Sequence, residues 1–381
     1  MTPLRIMATP STAAGHFYPM VPMLWALRSA GHDVRVVVPR FFASTVVQAG
    51  LPAVPTAPAS EETALDPRDS ISDDHTADTY RRIARVSRLM GPDVDRIAGE
   101  WRPDLVISDP MDYTGRRIAA ERGVPHAEHG IGGFLLTAPR AKAAADVFGG
   151  EYRGWPGMGD VASVVIDPCP PSFQKPEAPP GVRVRYVPYN GPSLVPRWLT
   201  ERKRGRRMLI TMGTILSQGE TGERLLREAV GATAGLDIEV VVSTGHGGLP
   251  EGLADGVRAV PWIPVGLAAH SCDLVVHHAG SGTTMSSLAH GVPQVVCPAI
   301  LDQADNAKKL EELGAGRMVA PWSVLAGGGG LADAVQQVLG EPGYAKSAAL
   351  LQAENDSAPS PARAAERLLR AVDERRGTWR V

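Results

Sequence analysis

The sequence has no marked excess of charge of either sign, and this absence excludes two classes of partner. Its 381 residues carry 39 Lys and Arg against 41 Asp and Glu, for a formal net charge of -2 at pH 7. Proteins that follow the phosphates of nucleic acids or adsorb to anionic membranes need basic residues in excess. We therefore expect neither nucleic acid nor a membrane surface among the partners.

Cysteine is scarce, and long apolar runs are missing. Cys169, Cys272 and Cys297 are odd in number, far apart and without a CxxC pair, so they outline neither a disulfide framework nor a zinc site. No run approaches the roughly 18 apolar residues that a membrane-spanning helix needs. The first ten residues, MTPLRIMATP, lack the charged start and apolar stretch of a signal peptide. These features predict a cytoplasmic protein.

The sequence does have a regular alternation of apolar runs and helical segments. With 381 residues, of which 44% are hydrophobic, the chain exceeds one ordinary core and predicts two domains. Runs of Val, Ile and Leu between segments of helical period are typical of an α/β fold with parallel sheets and helices on both faces. The predicted strands cover 4–8, 34–38, 104–108, 161–167, 208–212, 238–243, 273–277 and 294–297. The predicted helices cover 19–30, 77–101, 112–122, 221–234, 282–290, 303–313, 331–339 and 361–375.

A proline-rich stretch divides the chain. Nine prolines lie between Pro168 and Pro196, and proline lacks an amide donor and fixes its own φ, which rules out a continuous helix or a central strand. This predicts an extended linker with one short strand in VRVRYV and a boundary near residue 195, between an N-terminal domain over 1–195 and a C-terminal domain over 196–381. Doubly wound sheets bind ligands at the carboxyl ends of their strands. We therefore expect a site in the cleft between two such domains.

The first predicted strand is followed by a loop that contains Gly15 and His16, before a helix that opens with Pro19. The loop has too few glycines for the GxGxxG dinucleotide fingerprint. A histidine at this edge can take a proton from a hydroxyl, although loop packing is the plainer alternative. Asp109 follows the strand DLVIS and could accept the other ring N–H of that histidine. The alternatives are that Asp109 only caps the next helix, or that Asp112 takes its place.

The run HHAGSGTT follows a predicted strand and opens a helix. Its small residues let backbone amides approach an anion, its hydroxyls add donors, and the helix N-terminus adds partial positive charge. This predicts a phosphate cradle of His278, Gly280, Ser281, Gly282 and Thr283. A Gly/Ser/Thr turn without a ligand is the alternative, but a histidine pair directly after the strand favours the cradle.

Other strand ends point to the same cradle. Thr214 follows ITMG and could donate to a second phosphate. Asp302 and Gln303 come after the strand VPQVVC and suit the hydroxyls of a polyol. Trp262 follows the strand VRAV, where it could meet a nucleobase, although core packing is the alternative for its ring.

The order of these motifs resembles that of the family 1 glycosyltransferases of GT-B fold. The matching motifs run along nearly the whole chain and are GHFYP, ISDP, VPYNGP, ITMGT, VPWIPV, HHAGSGTT, HGVPQVV and DQADNA. The resemblance is strongest to the bacterial enzymes that glycosylate polyketide and other antibiotic aglycones. It implies two Rossmann-like doubly wound domains, the N-terminal one for the acceptor and the C-terminal one for the nucleotide sugar, with the helix over 361–375 crossing back to the N-terminal domain.

The resemblance also implies residue roles in an inverting transfer. His16 would be the general base and Asp109 the carboxylate behind it. The implied donor contacts are Thr214, His278, Gly280, Ser281, Gly282 and Thr283 for the diphosphate, Trp262 and Ile263 for the nucleobase, and Asp302 and Gln303 for the sugar. For the acceptor pocket we expect Phe17, His129 and Phe134. No metal or cofactor is expected, because the helix N-terminus would replace Mg²⁺ at the diphosphate.

One departure from the family bears on the nucleotide. Plant members carry a glutamate eight residues after the motif histidine to hold the ribose hydroxyls, whereas this sequence has Ser286. A 2′-deoxynucleotide tolerates that loss, so we expect a TDP-activated, deoxygenated hexose and a small natural-product acceptor such as a polyketide aglycone. The alternatives are a sugar-nucleotide epimerase on the same fold and a nucleotide-sugar-binding helper protein. The chain could also form a homodimer.

Overall fold

The chain folds into two parallel β-sheets with helices on both faces. The computed structural model describes residues 2–56, 73–133, 137–158, 163–201, 205–213, 220–245, 257–298, 302–320 and 330–375. The first sheet contains β1 (Arg5–Thr9), β2 (Asp33–Pro39), β3 (Ala53–Thr56), β4 (Leu105–Ser108), β5 (His126–His129), β6 (Val164–Asp167) and β7 (Val182–Arg183). The second contains β8 (Arg207–Thr211), β9 (Glu239–Ser243), β10 (Val257–Val260), β11 (Leu274–His277), β12 (Gln294–Val296) and β13 (Gly316–Met318).

The helices connect these strands. In the first half they are α1 (Ala14–Phe17), α2 (Val21–Ser29), α3 (Ala43–Gln48), α4 (Asp73–Trp101), α5 (Thr114–Arg122) and α6 (Thr137–Phe148). In the second half they are α7 (Arg197–Thr200), α8 (Glu220–Gly231), α9 (Val265–Ala269), α10 (Ser281–Ala289), α11 (Gln303–Glu312), α12 (Gly330–Gly340), α13 (Pro342–Ser357) and α14 (Pro361–Arg375). None of the described helices is both long and apolar enough to cross a membrane.

Both sheets have the same strand order at their centres. The first runs β3-β2-β1-β4-β5-β6-β7 and the second β10-β9-β8-β11-β12-β13, with parallel pairing throughout. The chain therefore reverses its direction of travel between β1 and β4, and again between β8 and β11. At such a point the loops after two neighbouring strands leave a crevice at the carboxyl edge of the sheet. The fold thus provides one crevice in each sheet.

The central strands β1, β4, β8 and β11 are buried on both faces, which explains why they appear as continuous apolar runs. In β1, Ile6 and Ala8 pack into one core cluster with α2, whereas Met7 packs into another with α4 and α5. Leu24 of α2 and Ile97 of α4 are buried on these opposite sides. The two clusters fix the orientation of the loop that follows β1.

The last helix returns to the first sheet. Ala364, Leu368 and Val372 of α14 are buried in the same cluster as Ile6 and Leu24. This is the crossing expected for the segment 361–375. All strands up to β7 belong to the first sheet and all from β8 onward to the second, while the exact boundary near residue 195 stays a prediction.

Most predicted elements are present, with small shifts at their ends, and several were missed. The strands β3, β5 and β13 and the helices α1, α3, α6, α7, α9 and α13 were not anticipated. β5 has the sequence HAEH, whose polar side chains are buried, so it has no apolar run to identify it. The helix predicted over 77–101 is α4, which begins at Asp73 and contains Pro92. The linker contains the short strand β7, as expected.

Candidate active site

A cavity lies where the carboxyl edges of the two sheets face each other. Its wall from the first half of the chain includes Ser11, His16, Tyr18, Tyr80, Ile83, Met111 and Ile131. Its wall from the second half includes Gly213, Trp262, Ile263, His278, Gly280, Ser281, Gly282, Thr283, Asp302 and Gln303. The linker adds Tyr186 and Asn190. The loops after β1, β4, β8 and β11 thus meet in one space, as the strand order requires.

His16 and Asp109 form a hydrogen-bonded pair at the first crevice. The Nδ1 of His16 lies 3.1 Å from Oδ1 of Asp109. The His16 side chain is 17% exposed and lines the cavity, whereas the carboxylate is fully buried behind it. An Nδ1–H bound to the carboxylate leaves Nε2 as the ring nitrogen that can accept a proton.

The carboxylate of Asp109 is held by backbone amides as well as by the histidine. Its Oδ2 accepts a hydrogen bond from the Ser11 amide, and its Oδ1 accepts one from the Met111 amide at 2.6 Å. Burial would raise the pKa of Asp109, but the His16 ring and these amides hold that pKa below its usual value. The carboxylate is therefore ionised at neutral pH.

The interaction with Asp109 also shifts the pKa of the His16 ring. Burial would lower the pKa of the ring, but the charge and hydrogen bond of Asp109 outweigh burial and raise it above its usual value, with a smaller contribution from Asp302. An imidazolium formed by proton abstraction would thus be stabilised where it forms.

Asp112 has the capping role that was the alternative for Asp109. It accepts hydrogen bonds from the amides of Thr114 and Gly115, at 3.1 and 2.8 Å, and from the Thr9 hydroxyl at 2.8 Å. These amides belong to the first turn of α5, so Asp112 satisfies donors that the helix leaves free. Burial and the charge of Asp109 raise the pKa of Asp112 to about 7.

The second crevice presents the N-terminus of α10 to the cavity. Gly280 precedes the helix in extended conformation, and the first turn contains Ser281, Gly282 and Thr283 with no acidic residue. The amides of a first helical turn have no carbonyl partner within the helix and carry partial positive charge, which suits a phosphate group. Thr214, predicted as a further phosphate contact, lies outside the described residues.

The His278 ring is enclosed by two glycines. A Cβ atom added at Gly213 would lie 2.3 Å from Cε1 of the ring, and one added at Gly280 would lie 2.3 Å from Nε2. Gly213 also has a φ of 70°, which disfavours other residues. Burial lowers the pKa of His278 to about 4, so the ring is neutral at pH 7 and presents a single N–H.

Residues that were not predicted hold this loop in place. Ala279 has a φ of 64°, an uncommon conformation for a residue with a Cβ. Its amide donates to Nδ1 of His277 at 3.0 Å, and its carbonyl accepts from Nδ2 of Asn306 at 2.9 Å. His277 in turn bonds to Gln294 through Nε2 at 2.8 Å. Asn306 lies in the quoted motif DQADNA, which is the signal that could have identified it.

Asp302 joins the cradle to the base. It accepts a hydrogen bond from the Ser281 hydroxyl and one from Nδ2 of Asn306 at 3.2 Å. Its charge also acts on the ring of His16. Gln303 follows it at the start of α11 and lines the same cavity. Both residues thus line the cavity near Ser281 and His16, and their role as sugar contacts stays a prediction.

Trp262 and Ile263 line the cavity beyond β10, and their contact with a nucleobase stays a prediction. Asn190 was not assigned a role, although it belongs to the motif VPYNGP. Its Oδ1 accepts from the Gly266 amide at 2.8 Å, and its Nδ2 donates to the Ser286 hydroxyl at 3.1 Å. This side chain fastens the linker to both α9 and α10.

The predictions for the acceptor pocket need correction. Phe17 is fully buried in the core with Phe42, at a ring-centroid distance of 5.9 Å, and does not line the cavity. His129 is also buried, with Nδ1 2.7 Å from the Gly130 carbonyl oxygen. Both side chains are buried and neither lines the cavity. Phe134 lies outside the described residues.

An apolar wall takes their place beside His16. Tyr80 and Ile83 of α4 face the cavity together with Met111 and Ile131. The four belong to one apolar cluster. Sequence reasoning missed them because Met111 and Ile131 sit in loops, and only the packing of α4 shows which of its faces meets the cavity.

Comparison with known proteins identifies the family. The model of the erythromycin biosynthesis protein CIII-like C-terminal domain matches residues 227–371, and that of the N-terminal domain matches residues 25–91 and 79–213. L-demethylnoviosyl transferase of Streptomyces niveus is 35% identical over 325 residues, which cover 82% of this chain and 84% of that protein. Elloramycin glycosyltransferase ElmGT of Streptomyces olivaceus is 34% identical over 384 residues, covering 96% and 97%.

Solved structures agree with this assignment. The spinosyn rhamnosyltransferase SpnG complexed with thymidine diphosphate matches with a TM-score of 0.84 and 30% sequence identity, over 97% of this chain and 100% of that one. The similarity spans both sheets and the cleft, so the predicted GT-B architecture is confirmed. The chain therefore belongs to the erythromycin biosynthesis protein CIII-like family and is a glycosyltransferase of GT-B fold.

Proposed function

We propose that the protein transfers a deoxyhexose from a TDP-sugar to a hydroxyl of a small natural-product acceptor, such as a polyketide aglycone, with inversion at the anomeric carbon. One observation supports this most strongly. His16, paired with Asp109, and the N-terminus of α10 line the same cavity, one from each half of the chain. A base for the acceptor and a cradle for the leaving diphosphate are thus available to one sugar bound between them.

The transfer is a single displacement. His16 Nε2 takes the proton of the acceptor hydroxyl while the oxygen forms a bond to the anomeric carbon. The bond from that carbon to the diphosphate oxygen breaks, and its electron pair leaves with TDP. Because the nucleophile and the leaving group lie on opposite sides of the carbon, its configuration inverts. The proton on His16 is then released to solvent.

Two sets of groups, one on each side of the sugar, stabilise the charges that develop during the transfer. On the acceptor side, the Asp109 carboxylate lies against the imidazolium. On the donor side, the amides of Ser281, Gly282 and Thr283 and the neutral ring of His278 act on the diphosphate. These neutral donors perform the task that Mg²⁺ has in other nucleotide enzymes, so we propose transfer without a metal or a cofactor.

The acceptor would rest on the apolar wall of Tyr80, Ile83, Met111 and Ile131. Such a surface gains free energy by removing apolar area of the acceptor from water, at about 25 cal/mol per Å². An aglycone with a hydroxyl beside a large apolar frame fits this wall. The relatives are transferases of antibiotic pathways, among them the elloramycin glycosyltransferase ElmGT.

The nucleotide preference follows from the surroundings of Ser286. This residue is fully buried, and its hydroxyl donates to the Gly282 carbonyl at 2.6 Å and accepts from Asn190. Asn190, which bonds to Ser286, lines the cavity, whereas Ser286 does not, so the cavity presents an amide here rather than a carboxylate. On binding, a ribose 2′-hydroxyl would therefore lose its hydrogen bonds to water, and no carboxylate would replace them.

Calorimetric titration of the wild-type protein tests this preference. We expect TDP to bind about tenfold more tightly than UDP, a difference of about 1.4 kcal/mol. The matched control is dUDP, which lacks the 2′-hydroxyl and also the 5-methyl group of thymine, and should bind nearly as tightly as TDP. UDP binding that is clearly tighter than TDP binding would contradict the proposal.

A further inference from the structure

A group of buried charges lies next to the turn over 109–112, which carries Asp109. It has no part in the chemistry described above. It consists of Arg116 of α5, Glu128 of β5 and Arg140 of α6, called here the arginine cluster. Oε2 of Glu128 accepts from Nη2 of Arg116 at 2.5 Å and from Nη1 of Arg140 at 3.1 Å. The side chains of the two arginines are 0% and 1% exposed, and that of Glu128 is 6% exposed.

Arg116 is bound to the backbone of the turn that carries Asp109. Its Nη2 donates to the carbonyl of Asp109 at 3.3 Å, and its Nε donates to the carbonyl of Asp112 at 2.8 Å. Its Nη1 donates to the carbonyl of Pro156 at 2.7 Å. One guanidinium therefore holds both ends of the turn over 109–112 and anchors it to the segment around Pro156.

Arg140 completes the arrangement from α6. Its Nη1 donates to the carbonyl of Pro110 at 2.8 Å and is shared with Glu128. The Arg140 carbonyl in turn accepts from the Tyr113 hydroxyl at 3.3 Å. The middle of the same turn is thus tied to a helix that packs against α4, whose residues line the cavity.

Buried ion pairs are a costly means of stabilising a fold, because desolvation cancels much of their attraction. An apolar cluster of similar volume would stabilise this region as well. What apolar side chains cannot do is fix the carbonyls of Asp109, Pro110 and Asp112 in a single orientation. The directional hydrogen bonds of a planar guanidinium can.

We propose that Arg116, assisted by Glu128 and Arg140, is a positioning residue that holds the turn over 109–112 so that the Asp109 carboxylate meets Nδ1 of His16. The inference rests on the proposed function of that pair. Arg116 touches no substrate, and its effect passes through the backbone of the turn. The site is closely packed, since a Cβ added at Gly157 would lie 2.6 Å from Nη1 of Arg116.

The direct test is the pKa of His16, measured by NMR of the histidine rings in the substrate-free protein. In wild type, Asp109 holds this pKa above its usual value. Arg116→Gln should lower it, in the direction of Asp109→Asn, because the carboxylate is no longer held against the ring. Asp302, the other charged group that raises this pKa, is unaltered in both variants.

Kinetics give a second readout. We expect kcat of Arg116→Gln to fall about 10²-fold, as for a misplacement on the order of 1 Å, with the Kd for TDP unchanged. The matched control is Arg117→Gln. Arg117 follows Arg116 in α5 and pairs with Glu121 and Asp95 at 2.8 and 3.1 Å, but its side chain does not contact the carbonyls of the turn. Its replacement should leave kcat and the His16 pKa unchanged.

The His16 pKa and the kinetics together distinguish a positioning role of Arg116 from a general contribution to stability. A variant that binds TDP, has a lower Tm and keeps the wild-type His16 pKa would overturn the proposal. If Arg116→Gln does not fold, Arg116→Lys keeps the buried charge but not the planar fork, and the same His16 pKa criterion applies to it. The NMR result needs no turnover. Failure of His16 as the base would therefore show only in the transfer assay of a His16 variant.

Discussion

Replacing His16 with alanine is expected to lower kcat for sugar transfer roughly 10²- to 10⁴-fold, the usual contribution of a general base. The ring lines the cavity and its Nδ1 is engaged by Asp109, which leaves Nε2 as the nitrogen that takes the acceptor proton. Binding of TDP should not change, because its proposed contacts come from the second half of the chain and from Asn190 of the linker. Steady-state transfer rates and calorimetry with TDP measure the two quantities.

The matched control is His270→Ala, which removes an exposed histidine outside the cavity. It should leave both the rate and the Kd for TDP unchanged. If His16→Ala transferred sugar at the wild-type rate, the assignment of the base would be wrong. If it lost TDP binding as well, His16 would belong to the donor site instead.

Asp109→Asn should lower kcat by about 10²- to 10⁴-fold, even though the replacement has nearly the same shape. The carboxylate receives three donors, from His16, Ser11 and Met111. An amide offers a single acceptor oxygen and must turn its NH₂ group toward one of these N–H groups. The imidazolium also loses the negative charge that stabilises it.

The pH dependence of this variant has a definite sign. His16 acts as a base only when neutral, so kcat/KM of the wild type should rise with pH through the raised pKa of His16. Without the Asp109 charge this pKa falls, and the rise should move to lower pH while the plateau is reduced. A profile measured from pH 5 to 9 shows both effects. An unshifted rise would mean that Asp109 does not act on His16.

Asp112→Asn separates this effect from any disturbance of the turn. Asp112 caps α5 and has no contact with His16 in the structure. Asparagine is also a good capping residue, so the variant should fold and keep the wild-type position of the rise in kcat/KM. A shift as large as that of Asp109→Asn would show that the roles assigned to Asp109 and Asp112 were wrong.

The strand ends were the part of the site that sequence could predict. Parallel sheets bind ligands where strands end, and each apolar run therefore pointed to the polar residue after it. His16, Asp109 and His278 were found in this way. The order of the strands in each sheet brings these residues together, and that order cannot be deduced from the individual residues.

The supporting side chains were hidden for physical reasons. Asn306, Asn190 and Arg116 act through hydrogen bonds to backbone carbonyls or amides of distant segments. Such partners leave no periodic signal, since the backbone is the same at every position. β5 was missed for a related reason, because its Glu128 is buried by pairing with arginines rather than by apolar character.

Phe17 and His129 show the limit of reasoning from motifs. Both lie near residues of the site in the sequence, and both are buried without lining the cavity. The direction of a side chain on a loop or strand end depends on packing with elements far away in the chain. Tyr80 and Ile83 reach the cavity for the same reason, from a helix without a recognisable motif.

The most direct test of the account is to incubate the wild-type protein with TDP-deoxyhexoses and polyketide aglycones and to identify the product. Mass spectrometry should show the aglycone enlarged by one sugar less water, with TDP released in equal amount. The anomeric ¹H coupling of the conjugate should correspond to inversion of the donor configuration. A conjugate with the donor's own configuration would contradict the single displacement, and an altered or hydrolysed TDP-sugar without a conjugate would contradict the transferase itself.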